Sequence, residues 1–221
     1  MQTQQKTKQL PQGWKNIEIG EIGDFKRGPF GSSVQKSVCV PKSKNTYKLY
    51  EQGNVINNDF ERGTYYLNQE KFNELKGFEI KPGDILITCA GTLGKIAIVP
   101  KGIEKGIINS VLMRIRLKED EINKKYFIYF FGSSAVQNDI QSKSAGVALK
   151  NLFATKQLKK FIIPLPPLPT QHLIVSSIES KFSVIDKVEE AVNNSLKKAE
   201  MLRKAILKAA FEGKLIKEES I

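Results

Sequence analysis

One stretch of about forty residues limits what this chain can fold into. After a proline cluster at Pro164, Pro166, Pro167 and Pro169, the sequence runs from Thr170 to Glu212 without a proline or a glycine, and Gly213 follows. Thr170 stands where a helix N-cap belongs, and Gly213 where a helix stops. Val175, Ile178, Phe182, Ile185, Val192, Leu196, Ala199, Ile206 and Ala210 follow steps of three and four, interrupted by Glu189 and Arg203. A sustained repeat near 3.5 residues keeps one apolar stripe facing a partner helix, the seam of a coiled coil. At 1.5 Å per residue the helix would be roughly 60 Å long. A small domain cannot cover that length, so the seam calls for a second helix from elsewhere. The alternative is a long helix lying on its own domain. Val184, Val188, Met201, Leu202 and Leu207 widen the apolar face beyond a two-helix stripe.

The other residues form the globular part. Charge separates the two regions. Of the 35 Lys+Arg and 23 Asp+Glu, residues 170–221 hold nine and eight, and residues 1–169 hold 26 and 15. The excess of +11 therefore sits on the globular part. A basic domain joined to a near-neutral helix suggests a polyanion on the domain and protein on the helix. Residues 1–9 read as a disordered leader. No apolar run is long enough to span a membrane, and the N-terminus lacks the apolar core of a signal peptide. Cys39 and Cys89 have no metal-type spacing and fit a reduced, cytoplasmic protein.

Within the globular part, residues 15–19, 46–50, 85–88, 96–99, 107–117 and 157–163 carry strand patterns. Residues 68–75, 123–131 and 133–141 carry helix patterns. Trp14, the only tryptophan, reads as a core anchor. The fold class is α+β: a β-rich domain with short helices, followed by the long helix. Three loops draw notice. Phe25-Lys26-Arg27-Gly28-Pro29-Phe30-Gly31-Ser32-Ser33 pairs two cations with two hydroxyls, side chains that hold phosphate oxygens, though a plain surface turn reads equally well. Gly91-Thr92-Leu93-Gly94-Lys95 links two apolar runs. It fails as a nucleotide-binding P-loop, which needs four residues between its glycines and Ser or Thr after the lysine. Residues 144–152 are a loop becoming a turn of helix.

Enzyme signatures are missing. His172 is the only histidine, which excludes a two-histidine metal site. There is no Gly-x-Ser-x-Gly elbow and no cofactor-binding glycine fingerprint. Asp24, Asp59 and Asp84 show no paired catalytic spacing.

Taken together, four segments resemble the specificity subunit of type I restriction-modification enzymes. They are Leu10-Pro11-Gln12-Gly13-Trp14 leading to Gly28-Pro29-Phe30-Gly31-Ser32-Ser33; Gly83-Asp84-Ile85-Leu86-Ile87-Thr88 leading to residues 91–95; the 144–152 turn; and Ile163-Pro164-Leu165-Pro166-Pro167-Leu168-Pro169-Thr170-Gln171 entering a helix that ends Ala210-Phe211-Glu212-Gly213-Lys214-Leu215. Thr170 departs from the Glu usual in that family. The resemblance implies a target-recognition domain over 10–163, a proline joint at 164–169 and a conserved dimerisation helix with its tail over 170–221. The usual member has two such domains and two helices, so this chain looks like half of one, natural or truncated.

The resemblance further implies a non-catalytic subunit that reads double-stranded DNA at a bipartite target. Its partners would be modification subunits, which methylate adenine with S-adenosylmethionine, and restriction subunits, which use ATP. The chain itself would need no cofactor. On this reading Lys26, Arg27, Ser32, Ser33, Thr92, Lys95, Lys143 and Lys150 share a DNA-facing side. Ile178, Phe182, Ile185, Val192, Leu196 and Ile206 form the seam of a homodimer. A small metal-dependent nuclease and a coiled-coil RNA-binding adaptor are the alternatives.

Overall fold

The computed structural model describes residues 10–144 and 155–215, in two compact units, Met1–His172 and Leu173–Ile221. The 1–9 leader and most of the 144–152 turn lie outside the described residues. The fold class is α+β, as expected.

Among the described residues, the first unit holds three small sheets. β1 (Lys15–Glu18) pairs antiparallel with β9 (Ile162–Leu165). β2 (Gly23–Arg27), β5 (Ile85–Thr88), β6 (Ile96–Ile98) and β8 (Leu112–Leu117) form an antiparallel sheet in the order β2-β8-β5-β6. β3 (Tyr47–Tyr50), β4 (Tyr66–Leu67) and β7 (Gly106–Ile108) form the third, with β3 and β7 parallel. The central strand β5 is buried on both faces, and Ile85, Leu86 and Ile87 are all fully buried. Such a strand reads as a continuous apolar run, and this one did. Leu86 joins Tyr50, Val55, Phe60, Val99, Ile108 and Leu112 in one core. Leu49, Leu67, Phe72, Leu75 and Ile107 form another.

Short helices complete the unit: α1 (Gln52–Ile56), α2 (Gln69–Glu74), α3 (Lys124–Gly132), α4 (Ser134–Ser144) and α5 (Thr155–Lys159). Asn68 and Asn123 cap α2 and α3, their side-chain oxygens accepting first-turn N–H groups. Gln171 ties the end of the unit together. Its Oε1 accepts from the Asn123 N–H at 2.8 Å, and its Nε2 donates to the carbonyls of Pro166 and Glu121.

Several sequence expectations need correction. Residues 107–117 are two strands in different sheets, because the Asn109 carboxamide accepts from Val111 N–H and turns the chain between them. Residues 157–163 are not one strand. Helix α5 comes first, burying Leu158 as its apolar contact, and β9 starts only at Ile162. Residues 53–56, which carried no helix pattern, are helical, and a reciprocal Glu51–Asn54 capping box starts their helix. Trp14 is only half-buried.

The proline cluster does not end the strand at Ile163 either. β9 continues through Pro164 to Leu165, since a two-stranded ladder leaves a free edge that tolerates a missing N–H. The long helix α6 spans Leu168–Phe211, so Thr170 is not its cap. Pro167 O accepts from Gln171 N–H, and Pro169 sits in the first turn, where an N–H would lack a partner anyway. At the far end Gly213 takes φ +71°, and Lys214 N–H returns to Ala209 O.

β8 carries an arginine pair, within the 107–117 segment that was read only as strand. Arg114, buried, donates to Gly77 O at 3.2 Å and Glu79 O at 2.6 Å, and lies 3.5 Å from Asp24. Arg116 grips both Asp84 carboxylate oxygens and also donates to Glu79 O. The turn at 77–79 is thus pinned to the sheet. Arg114→Leu strips Gly77 O of this donor and is expected to cost about 1–3 kcal/mol. Urea unfolding of the purified variant checks this, and an unchanged midpoint would contradict it.

Candidate nucleic-acid interface

Strand register decides which loops meet. Arg27 pairs with Met113, Met113 with Ile87, and Ile87 with Ile96. The exit of β2, the exit of β5, the entry of β6 and the entry of β8 therefore lie at one end of the sheet. Loops 28–34, 89–95 and 109–111 converge there.

The first loop is locked by close approach. A Cβ on Gly28 would stand 1.8 Å from Asn109 O, so only glycine fits against the 109–111 turn. Gly28 N–H donates to Leu112 O at 2.9 Å. Residues Gly31–Val34 then form a 3-10 turn. The second loop is stapled by Thr88. Its hydroxyl donates to Thr92 O and accepts from Lys95 N–H at 3.0 Å. Gly94 takes φ +74° and donates its N–H to Thr88 O. From α4, Gln137 donates to Gly94 O at 3.2 Å.

Six of the eight expected contact residues therefore come together at this end. Lys26 and Arg27 close β2, Ser32 and Ser33 lie in the 3-10 turn, and Thr92 and Lys95 lie in the stapled loop. Lys26, Ser32, Thr92 and Lys95 are exposed. Lys143 belongs to the last turn of α4, and Lys150 lies outside the described residues. Lys26 Nζ rests 5.1 Å over the Phe78 ring. Arg27 points to the other side of β2 and lines an open cavity of about 600 Å³ with Pro29, Phe30, Phe78, Ser110 and Val111.

Two aromatic contributors escaped sequence reading. Phe30 is 87 % exposed at the tip of the first loop, and its placement between Pro29 and Gly31 was a signal that could have been used. Phe78 had none, because it depends on the distant Arg114 and Arg116.

Nucleophile chemistry finds little support here. Burial pushes the Cys89 thiol up to about 12, although Arg27 nearby draws it back in part, so the thiol stays protonated at neutral pH. Burial, with Glu51 adding to it, also raises the Cys39 thiol. Among the described residues no group of three or more His, Cys, Asp or Glu is placed to hold a metal ion, and no helix is long and apolar enough to cross a membrane.

On α6 the expected seam is uncovered in the single chain. Phe182, Ile185, Val192, Leu196 and Ile206 each keep about half their surface exposed, and Ile178 is half-buried. Val184, Val188, Met201, Leu202 and Leu207 are exposed as well.

Comparison with known proteins agrees with these features. The family described as "Type I restriction modification DNA specificity domain" matches residues 11–198. The EcoBI specificity subunit of Escherichia coli is 34 % identical over 208 residues, covering 93 % of this chain and 43 % of that protein. A specificity subunit of Methanocaldococcus jannaschii, MjaX, is 26 % identical over 220 residues, covering 96 % of this chain and 50 % of its own length. The chain thus spans about half the length of these relatives. Among solved structures, the HsdS subunit from Thermoanaerobacter tengcongensis shares the fold at TM-score 0.63 and 20 % identity, over 95 % of this chain and 47 % of that one. A chain from a study of assembly and conformational transition of the type I restriction-modification system gives TM-score 0.70, also at 20 % identity, over 95 % and 48 %.

Proposed function

This chain belongs to the type I restriction-modification DNA specificity family, and from that premise we propose that it is the sequence-reading component of a methylation and restriction complex. The observation that carries the proposal is the meeting of loops 28–34 and 89–95 at one end of a sheet, in a region with an excess of +11 charges. Cations there would neutralise phosphates and fix register, while hydroxyl and amide side chains of the same loops would read base edges in the major groove. Residues 10–163 would be the recognition domain, 164–169 the joint, and 170–221 the assembly helix and its tail.

The uncovered seam of α6 supports a homodimer of antiparallel helices, placing one basic domain at each end of a spacer. A two-fold axis would then impose two identical half-sites in inverted orientation, separated by an unread gap. Modification subunits would supply S-adenosylmethionine chemistry, and restriction subunits ATP-driven cleavage, in the cytoplasm where DNA resides.

Selection from a random duplex pool tests the reading. Purified chain should enrich one inverted-repeat motif. Equal retention of all sequences, or a preference for single-stranded RNA, would contradict it. On this account the pure chain should neither cleave nor methylate DNA, and methylation should appear when a modification subunit is added. Methyl transfer by the chain with S-adenosylmethionine alone would refute the subunit role, and Mg²⁺-dependent cleavage would favour a nuclease.

A further inference from the structure

The cavity beside Arg27 holds features that phosphate contact does not use. Its walls are apolar, from Pro29, Phe30, Phe78 and Val111, while Arg27 and the Ser110 hydroxyl stand at its edge. Phe30 is 87 % exposed, in a loop that Gly28 locks against Asn109. Phe78 is braced from behind by both cores and by the arginine-pinned turn. Arg27 has no hydrogen bond or ion pair among the described residues. A half-buried guanidinium with no internal partner awaits an anion or a π-face.

We propose that this cavity receives a nucleobase unstacked from the bound duplex, which lies against Phe30 or Phe78 while Arg27 holds the adjoining phosphate or stacks on the base. The occupant follows from charge and shape together. The surrounding unit is strongly basic, Arg27 stands at the edge of the cavity, and the interior offers aromatic faces with few polar groups. Aromatic faces accept any base by stacking, and cations beside them accept the backbone. A peptide side chain would use the same apolar walls but would leave the Arg27 guanidinium without a purpose. The proposal rests on the DNA-reading function and adds a specific event to it, local unstacking at a position read by Phe30.

The test uses the full chain and a duplex bearing its selected motif, with a fluorescent base analogue, 2-aminopurine for purines, placed at each position in turn. Binding is followed separately by anisotropy. At saturation one position should brighten several-fold, the mark of a base leaving the stack. Phe30→Ala should abolish that rise when saturated with the same duplex, and its exposed position makes misfolding an unsuitable explanation. Phe30→Trp should dim the analogue through contact with indole, which a distortion elsewhere in the duplex would not do. Full binding with no brightening at any position would overturn the proposal and leave the cavity to a protein side chain, with the DNA-reading function intact. Brightening unchanged in both variants would overturn it too. Failure to bind any duplex would instead overturn the function itself and this inference with it.

Discussion

Replacing Ile185 and Val192 together with Asp is expected to turn dimers into monomers and to weaken DNA binding sharply. Both side chains are about half exposed on the single chain, at positions on the three-four apolar repeat. Burying a large apolar side chain contributes about 1.5–3 kcal/mol. With about half of each side chain left to cover, four such groups per dimer contribute about 3–6 kcal/mol, a large part of the roughly 8 kcal/mol that holds a micromolar complex. The introduced carboxylates add desolvation and like-charge repulsion. Folding of the first unit should be unaffected, because neither residue belongs to it. Each monomer would then hold one half-site without the gain from linked binding, often a hundredfold or more. Sedimentation velocity reads the outcome. A wild-type monomer at micromolar concentration, with no other protein present, would sink the homodimer.

Changing Lys26 and Arg27 together to Ala should weaken binding to every duplex, specific or not. Hydrogen bonds to charged groups contribute about 1.5–3 kcal/mol each, so loss of two per copy predicts a fall of at least about a hundredfold. The salt dependence should flatten as well, by roughly one unit of slope per lost phosphate contact, hence about four in a dimer. Discrimination between target and non-target should shrink far less, since phosphate contacts carry no sequence information. Titrations at several salt concentrations measure both quantities. An unchanged affinity and slope would remove the β2 exit from the interface.

Legibility in the sequence followed the range of the interactions involved. The long helix showed itself because a period of three and four over more than ten turns has no competing explanation. The β5–β6 hairpin was also visible, as two apolar runs separated by glycines. The break at Asn109 was hidden, because an apolar run continues on both sides and only the Asn side chain interrupts it. The short helix α5 was hidden because five residues cannot establish a period.

At the candidate interface, the cations and hydroxyls on loops were readable and were expected to share one side, but the strand order that brings six of them together was not. Their meeting depends on β8 inserting between β2 and β5, a pairing of strands far apart in sequence. Phe78 illustrates the same limit. Nothing near it in sequence marks it, and its position is set by carbonyls that Arg114 and Arg116 hold.

On the proposed function, this chain chooses the DNA sequence on which its partners act. Methylome sequencing of cells that express it with a modification subunit tests this most directly. A new methylated adenine motif, bipartite and palindromic, is expected only when both proteins are made, and its loss is expected in the Lys26→Ala/Arg27→Ala variant. A motif with unlike halves would show pairing with a different half-length chain rather than with itself. A complex that forms yet leaves the methylome unchanged, or methylates the same motif without this chain, would contradict the claim.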